Sequence, residues 1–284
     1  MIGKTRHVDV DQRPPANDQA TASFRQGCGV LWHSSPPGPY RHVRYAPPET
    51  LTDWVEHFWL EDWDFQKSAS QSREILPHPS VQLVFAHGRS RIFGVQLSRF
   101  VRQLSGKDRV LGIKFRPGAF YPFFRQPVCS IASRAISAAQ VFPNAEAAEE
   151  EVLGQRSDLD MVDVAARFLE AHVPSQDRLT RSAGRAVEEI VENRGVTRVQ
   201  DLVARLGTSE RTLQRLFRRY VGASPRWIIK RYRIYEALGR LSVARPADFV
   251  ALAQSLGYFD QAHFINDFKR LVGCAPSEYA ARYR

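Results

Sequence analysis

One motif is written twice near the end of this 284-residue chain. Leu202-Val203-Ala204-Arg205-Leu206-Gly207 returns as Leu252-Ala253-Gln254-Ser255-Leu256-Gly257, at an offset of 50 residues. Leu213…Phe217-Arg218-Arg219…Gly222…Pro225 returns as Phe264…Phe268-Lys269-Arg270…Gly273…Pro276, at an offset of 51. The extra residue falls after Gly257, at a turn between helices, where an insertion leaves the buried helix faces intact.

Each copy predicts a helix, a glycine turn and a second helix. Val199, Leu202, Val203 and Leu206 recur at helical spacing, Gly207 stops the helix where a positive φ is cheap, and Ser209 is placed to cap the next one. Phe249, Leu252, Ala253 and Leu256, then Gly257 and Asp260, repeat that plan. Two short helices meeting at a sharp turn form a helix-turn-helix, whose second helix can enter the DNA major groove.

At about 100° per residue, Leu213, Leu216, Phe217 and Tyr220 gather on one side of the second helix. Arg211, Gln214, Arg215 and Arg218 gather on the other. Arginine forks the O6 and N7 of guanine, glutamine pairs with adenine, and further arginines reach phosphates. The expected base contacts are therefore Arg211, Gln214 and Arg215, with Arg218 and Arg219 on the backbone. The bland alternative is a solvated basic face.

The same face in the second copy carries Ala262, Ile265, Asn266 and Lys269, a much less polar set. Asn266 can read adenine and the apolar pair can touch a thymine methyl. Gln261 and His263 flank that face as further DNA contacts, His263 having an equally good reading as a packing residue. Lys269 and Arg270 are expected on phosphates. The first unit is thus expected to discriminate bases and the second to position the domain.

Between the copies, residues 224 to 243 read as one long helix, with Trp227, Ile228, Ile229, Tyr232, Ile234, Tyr235, Leu238 and Leu241. It would span roughly 30 Å, which suits two recognition helices about one turn of DNA apart. Lys230 and Arg231, together with Arg233, are backbone candidates on it or solvated charges.

On these residues the region from about Ala183 to Tyr283 resembles the DNA-binding domain of the AraC/XylS family of bacterial transcription regulators. The resemblance rests on the Leu-Gly turns, the run Ser209 to Arg219, Gly222-Ala223-Ser224-Pro225, Gly257-Tyr258-Phe259-Asp260-Gln261-Ala262-His263-Phe264, and Gly273-Cys274-Ala275-Pro276-Ser277-Glu278-Tyr279. Asn266 stands where many members carry Arg, and Phe259 where Ser is usual. The resemblance implies a duplex DNA partner, RNA polymerase as a partner if the protein activates, and no enzymatic activity or cofactor of its own.

Charge agrees. From Arg181 onward there are 19 Lys+Arg against 10 Asp+Glu, whereas the whole chain carries +10. Nearly all the basicity belongs to the last third, the footprint of a polyanion partner. No apolar run approaches the roughly 18 residues of a spanning helix, and the opening residues are polar, so a membrane role and a signal peptide are not expected. Three scattered cysteines, Cys28, Cys129 and Cys274, suit a reducing cytoplasm without a disulfide framework.

Upstream, the chain predicts an antiparallel β sandwich or barrel-like domain, with strands at 54–60, 81–85, 91–95 and 110–115. The overall expectation is a two-domain α+β protein: residues 1–27 flexible, 28–143 β-rich, 144–180 a helical connector and linker, and 181–284 all-α with two helix-turn-helix units. Glu56-His57-Phe58-Trp59, Leu76-Pro77-His78-Pro79, Leu83-Val84-Phe85 and Gly112-Ile113-Lys114-Phe115-Arg116-Pro117-Gly118 are similar to a domain that recurs ahead of such DNA-binding domains. That resemblance implies effector sensing or association, with the ligand undefined.

His57, His78 and His87 match no compact metal-ligand spacing, so no metal is expected, although separate strands can gather histidines. Trp54, Trp59, Trp63, Phe115 and Phe120 read as core, or else as the lining of an apolar pocket. Met161, Val164, Ala165, Phe168 and Leu169 form a helical stripe that needs cover, from the β domain or from a second copy in a homodimer. The rival readings are an enzyme addressed to DNA by its tail, and a sequence-neutral architectural binder.

Overall fold

The computed structural model describes residues 7–8, 30–31, 38–65, 70–175, 177–243 and 248–282. Most of the expected flexible segment 1–27 therefore lies outside the described residues, as does Cys28. The strands are β1 (His7–Val8), β2 (Val30–Leu31), β3 (Tyr40–Tyr45), β4 (Val55–Asp64), β5 (Ser70–Ile75), β6 (Gln82–Phe85), β7 (Arg91–Phe93), β8 (Phe100–Ser105), β9 (Lys107–Phe115) and β10 (Ala135–Ser137). They form a seven-stranded sheet, β1-β3-β4-β9-β6-β7-β10, and a three-stranded sheet, β2-β5-β8, with antiparallel pairing throughout.

Two-residue alternation gives the large sheet two buried faces. Phe58, Leu60, Leu83, Phe85, Leu111, Ile113 and Phe115 enter the main core on one face. Trp59, Trp63, Val84 and Val110 cluster with Leu104 on the other, under the small sheet. The aromatic set read as core or pocket is buried throughout: Trp54, Phe115 and Phe120 in the first cluster, Trp59 and Trp63 in the second.

Among the strands that the sequence hides are β3, β5 and β8. Gln71 and Arg73 point inward from β5, so an apolar alternation is missing there. Arg73 is held by a 2.8 Å bond to Glu61 Oε1, and Glu61 also receives Arg102 at 3.0 Å and faces His42 at 3.0 Å. Burial alone would raise the Glu61 carboxyl, but the His42 hydrogen bond and the Arg73 charge outweigh it and hold the group well below the usual range.

After a short helix α1 (Tyr121–Phe124), helices α2 (Ala145–Leu153) and α3 (Asp158–Glu170) cover the main face. The stripe on α3 is buried, and Phe168 packs edge-on to Phe85, ring centres 5.6 Å apart. The chain's own sheet thus provides the cover, and the stripe does not call for a second copy. Asp158 fastens α3 to the sheet: it accepts from Tyr45 Oη at 2.6 Å, from Arg41 Nη2 at 2.9 Å, and from Arg109.

Burial pushes the Asp158 carboxyl up, but the bonds from Arg41 and Tyr45 prevail and take it down to about 2. A depressed folded value stabilises the protein above the unfolded value near 3.9 and loses that contribution as pH falls toward about 2. Asp158→Asn should cost about 1–2 kcal/mol near neutral pH, after allowance for solvent screening. It should also flatten the stability profile between pH about 4 and 2, measured by denaturant unfolding. An unchanged profile would show that the fastening carries no energy.

The remaining helices are α4 (Arg178–Glu192), α5 (Val199–Leu206), α6 (Glu210–Leu216), a π-helical turn (Phe217–Val221), α7 (Pro225–Val243), α8 (Phe249–Ser255), α9 (Gln261–Val272) and α10 (Pro276–Arg282). The α5–α6 unit shares one continuous core with the β domain, through Val128, Ala183, Leu202, Leu213, Phe217 and Ile228. The α8–α9 unit has its own core, around Leu238, Leu252, Phe264, Phe268 and Tyr279, which meets the β domain at Leu76.

Candidate nucleic-acid interface

Both units form as the repeat predicts. Gly207 and Gly257 take left-handed φ of 59° and 74°, which turn the chain sharply between helices. Ser209 Oγ accepts from Thr212 N at 3.2 Å, and Asp260 Oδ1 accepts from His263 N at 2.7 Å, so each recognition helix starts with a satisfied cap. Leu213, Phe217 and Tyr220 are buried, and that burial rotates Arg211, Gln214, Arg215 and Arg218 into solvent.

Among the described residues no carboxylate forms an ion pair with Arg211, Arg215 or Arg218. Gln214 Nε2 donates to Glu210 Oε1 at 2.9 Å, which orients its amide along the helix. Three exposed guanidiniums beside an oriented amide can bind phosphates and base edges together.

The second unit is electrostatically quieter. Ala262, His263, Asn266, Lys269 and Arg270 are exposed, while Gln261 and Ile265 are half-buried, Ile265 against the second core. Asp267 is buried under α9 and lies 2.8 Å from Lys230 Nζ and 3.4 Å from His263 Nε2, and it also accepts from Arg270. Burial raises its carboxyl, but the Lys230 bond outweighs that and keeps it low. Lys230 and Arg270 thus face an internal anion, and His263 stands edge-on to Tyr258 at 5.3 Å.

Two further basic residues read from sequence as backbone contacts, besides Lys230 and Arg270, have other engagements. Arg231 is a correction: it is 0% exposed and cannot reach a phosphate on the surface. It shares a helix face with Ile228 and Tyr235, three residues before and four after, and that face is packed inward. Arg219 is exposed but donates to Tyr121 Oη and lies 4.7 Å over that ring, tied to α1 of the β domain.

One surface feature stood in the sequence only as a departure from the family pattern. Phe259, one residue before the cap of α9, is 93% exposed. Its glycine-turn position carries the signal, since an aromatic there has no helix face to pack on.

Residues 202–282 match a family described as a helix-turn-helix domain. The C-terminal region is an AraC-type helix-turn-helix domain. Residues 43–137 match a second family, described as a domain of unknown function, DUF6597. A curated relative, the putative HTH-type transcriptional regulator YkgA of Escherichia coli (strain K12), is 34% identical over 86 residues, 30% of this chain and 35% of that protein. The match thus spans about a third of the relative's length.

Solved structures of ToxT from Vibrio cholerae lie further off. An apo variant from strain SCE256 aligns at 12% identity and TM-score 0.39, over 80% of this chain and 98% of ToxT. The wild type bound to an unsaturated fatty acid aligns at 12% and 0.36, over 78% and 94%. Within the AraC-type domain, α5–α6 and α8–α9 are the two units, and α7 is the helix that spaces them. No helix among the described residues is long and apolar enough to cross a membrane.

Proposed function

We propose that this chain is a sequence-specific, double-stranded-DNA-binding transcription regulator of the cytoplasm. The observation that carries the reading is the exposed Arg211, Gln214 and Arg215 face on a capped helix whose opposite side is buried. The name of the YkgA relative points the same way. In this reading α6 reads bases, α9 positions the second unit through Lys269 and Asn266, and α7, about 28 Å long, sets the spacing. Residues 181–284 are the DNA-binding part, 28–143 the sensing part, and 144–180 the connector. RNA polymerase is a partner if the protein activates, and a small-molecule effector acts through the β domain.

Arg211, Arg215, Arg218 and Lys269 supply the free cationic contacts, so log affinity should fall against log salt with a slope of about −3 to −4. Competition of a selected duplex against random duplex, across salt concentrations, separates this reading from an architectural binder. A regulator keeps a preference of about 10³ or more for its site. Equal affinity for both duplexes at every salt concentration would make the protein a sequence-neutral binder.

A further inference from the structure

The boundary between the β domain and α7 holds a cation that the DNA face does not use. Arg231 is 0% exposed, and none of its guanidinium nitrogens meets a hydrogen-bond acceptor. Its Cζ lies 3.1 Å from the centre of the Tyr235 ring. Such stacking offsets part of the desolvation but leaves the in-plane N–H donors unused.

The groups around it add positive charge. Lys114 of β9, 3% exposed, lies 2.9 Å from Glu56 Oε1 and 3.4 Å from His78 Nε2. His57 is 3.7 Å from the same Glu56 oxygen. Burial first, and then the charge of Lys114, holds both His57 and His78 well below the usual histidine range, with Arg231 and Arg44 adding to the effect on His78. Glu56 already serves Lys114. Burial pushes Arg231 down as well, but arginine keeps its proton inside proteins, so the unmet requirement is for an anion.

We propose that Arg231 and Lys114, beside the His78 ring, form a buried oxyanion site between the β domain and α7, taking the carboxylate or phosphate group of a small molecule. The planar fork of Arg231 suits two oxygens of either group, and Lys114 on β9 adds a point charge. The Tyr232 and Tyr235 rings, 6.4 and 6.3 Å from the His78 ring, flank the site. Tyr235 Oη also donates to Pro77 O at 3.1 Å, so the wall that receives the anion already joins the two domains. Since Arg231 lies on the helix that spaces the two DNA-reading units, occupancy ties that helix to the β domain. The site itself stands apart from the DNA-binding reading.

Thermal unfolding of the full-length chain tests it, at fixed ionic strength, with chloride replaced stepwise by inorganic phosphate in one series and by acetate in another. At a hundredfold excess over Kd the wild type should show a saturable rise in Tm of about 3–8 °C in at least one series. The responding series identifies the group the site prefers. Arg231→Met should abolish the rise, while its own Tm in chloride equals or exceeds that of the wild type, because an uncompensated buried charge has been removed.

Arg231→Lys should keep the rise but need at least about tenfold more anion, and it carries the test if Arg231→Met does not fold. Arg215→Ala should respond like the wild type. No saturable rise in either series overturns the proposal. So does a rise that survives Arg231→Met, an Arg231→Lys midpoint equal to the wild type, or a rise lost in Arg215→Ala, which would place the anions on the DNA face.

Discussion

Gly112→Ala should lower the stability of the protein by about 3 kcal/mol, the top of the usual range for overpacking. A Cβ at this position would lie 2.0 Å from Cε2 of Trp59 and 2.3 Å from its Cζ2 and Nε1. Gly112 and Trp59 are direct cross-strand partners on β9 and β4, so the indole lies flat over the glycine. Nor can the ring slide away: its Nε1 donates to Gln82 Oε1 at 2.9 Å, and it is packed among Trp63, Val84 and Leu104. The clash therefore separates strands that hold both buried faces of the large sheet. Trp59→Leu removes the obstacle at the cost of a cavity, so the double variant should be more stable than the summed single effects imply, by about 1–3 kcal/mol. Denaturant unfolding of the four proteins measures that coupling, and simple additivity would contradict the packing described.

Arg215→Ala should cut the preference for the protein's own site over random duplex by about 10–100-fold, equivalent to 1–3 kcal/mol. Arg215 is exposed on α6, whose inward side is fixed by Leu213 and Phe217, so truncation leaves the fold untouched. Affinity for random duplex should change far less, since one cation of several is lost. Asn266→Ala should reduce the preference by under about tenfold, because Asp267 already engages Lys230 and Arg270, and the outer face otherwise offers only Lys269 beside Ala262 and Ile265. Equal losses from the two variants would remove the asymmetry between the units.

The helical third was legible because its signals are local. Gly207 and Gly257 needed a positive φ, Ser209 and Asp260 needed a free N–H, and the apolar stripes had the helical period. The β domain was legible where burial on both faces makes continuous apolar runs, as in β4, β6 and β9. It was hidden where a buried strand carries Gln71 and Arg73, the latter bonded to Tyr40 and Glu61 on other strands. Arg231 shows the same limit on a helix. Between Lys230 and Arg233 it reads as part of a basic run, yet its phase matches Ile228 and Tyr235. The apolar neighbours at three and four residues were the available signal, and the β-domain surface that buries them comes from over a hundred residues earlier. The single core running from the β domain into α5–α6 is likewise a property of contacts such as those between the turn at Val128–Ile131 and the π-helical turn at Phe217–Val221, which no local pattern encodes.

The most direct test is selection of genomic fragments by the purified full-length protein at near-physiological salt, with the enriched sequences aligned base by base. The account predicts one asymmetric motif with two segments about one helical turn apart, the stronger segment losing its information in Arg215→Ala. Fragments enriched with no common motif, or a single segment unaffected by Arg215→Ala, would contradict it.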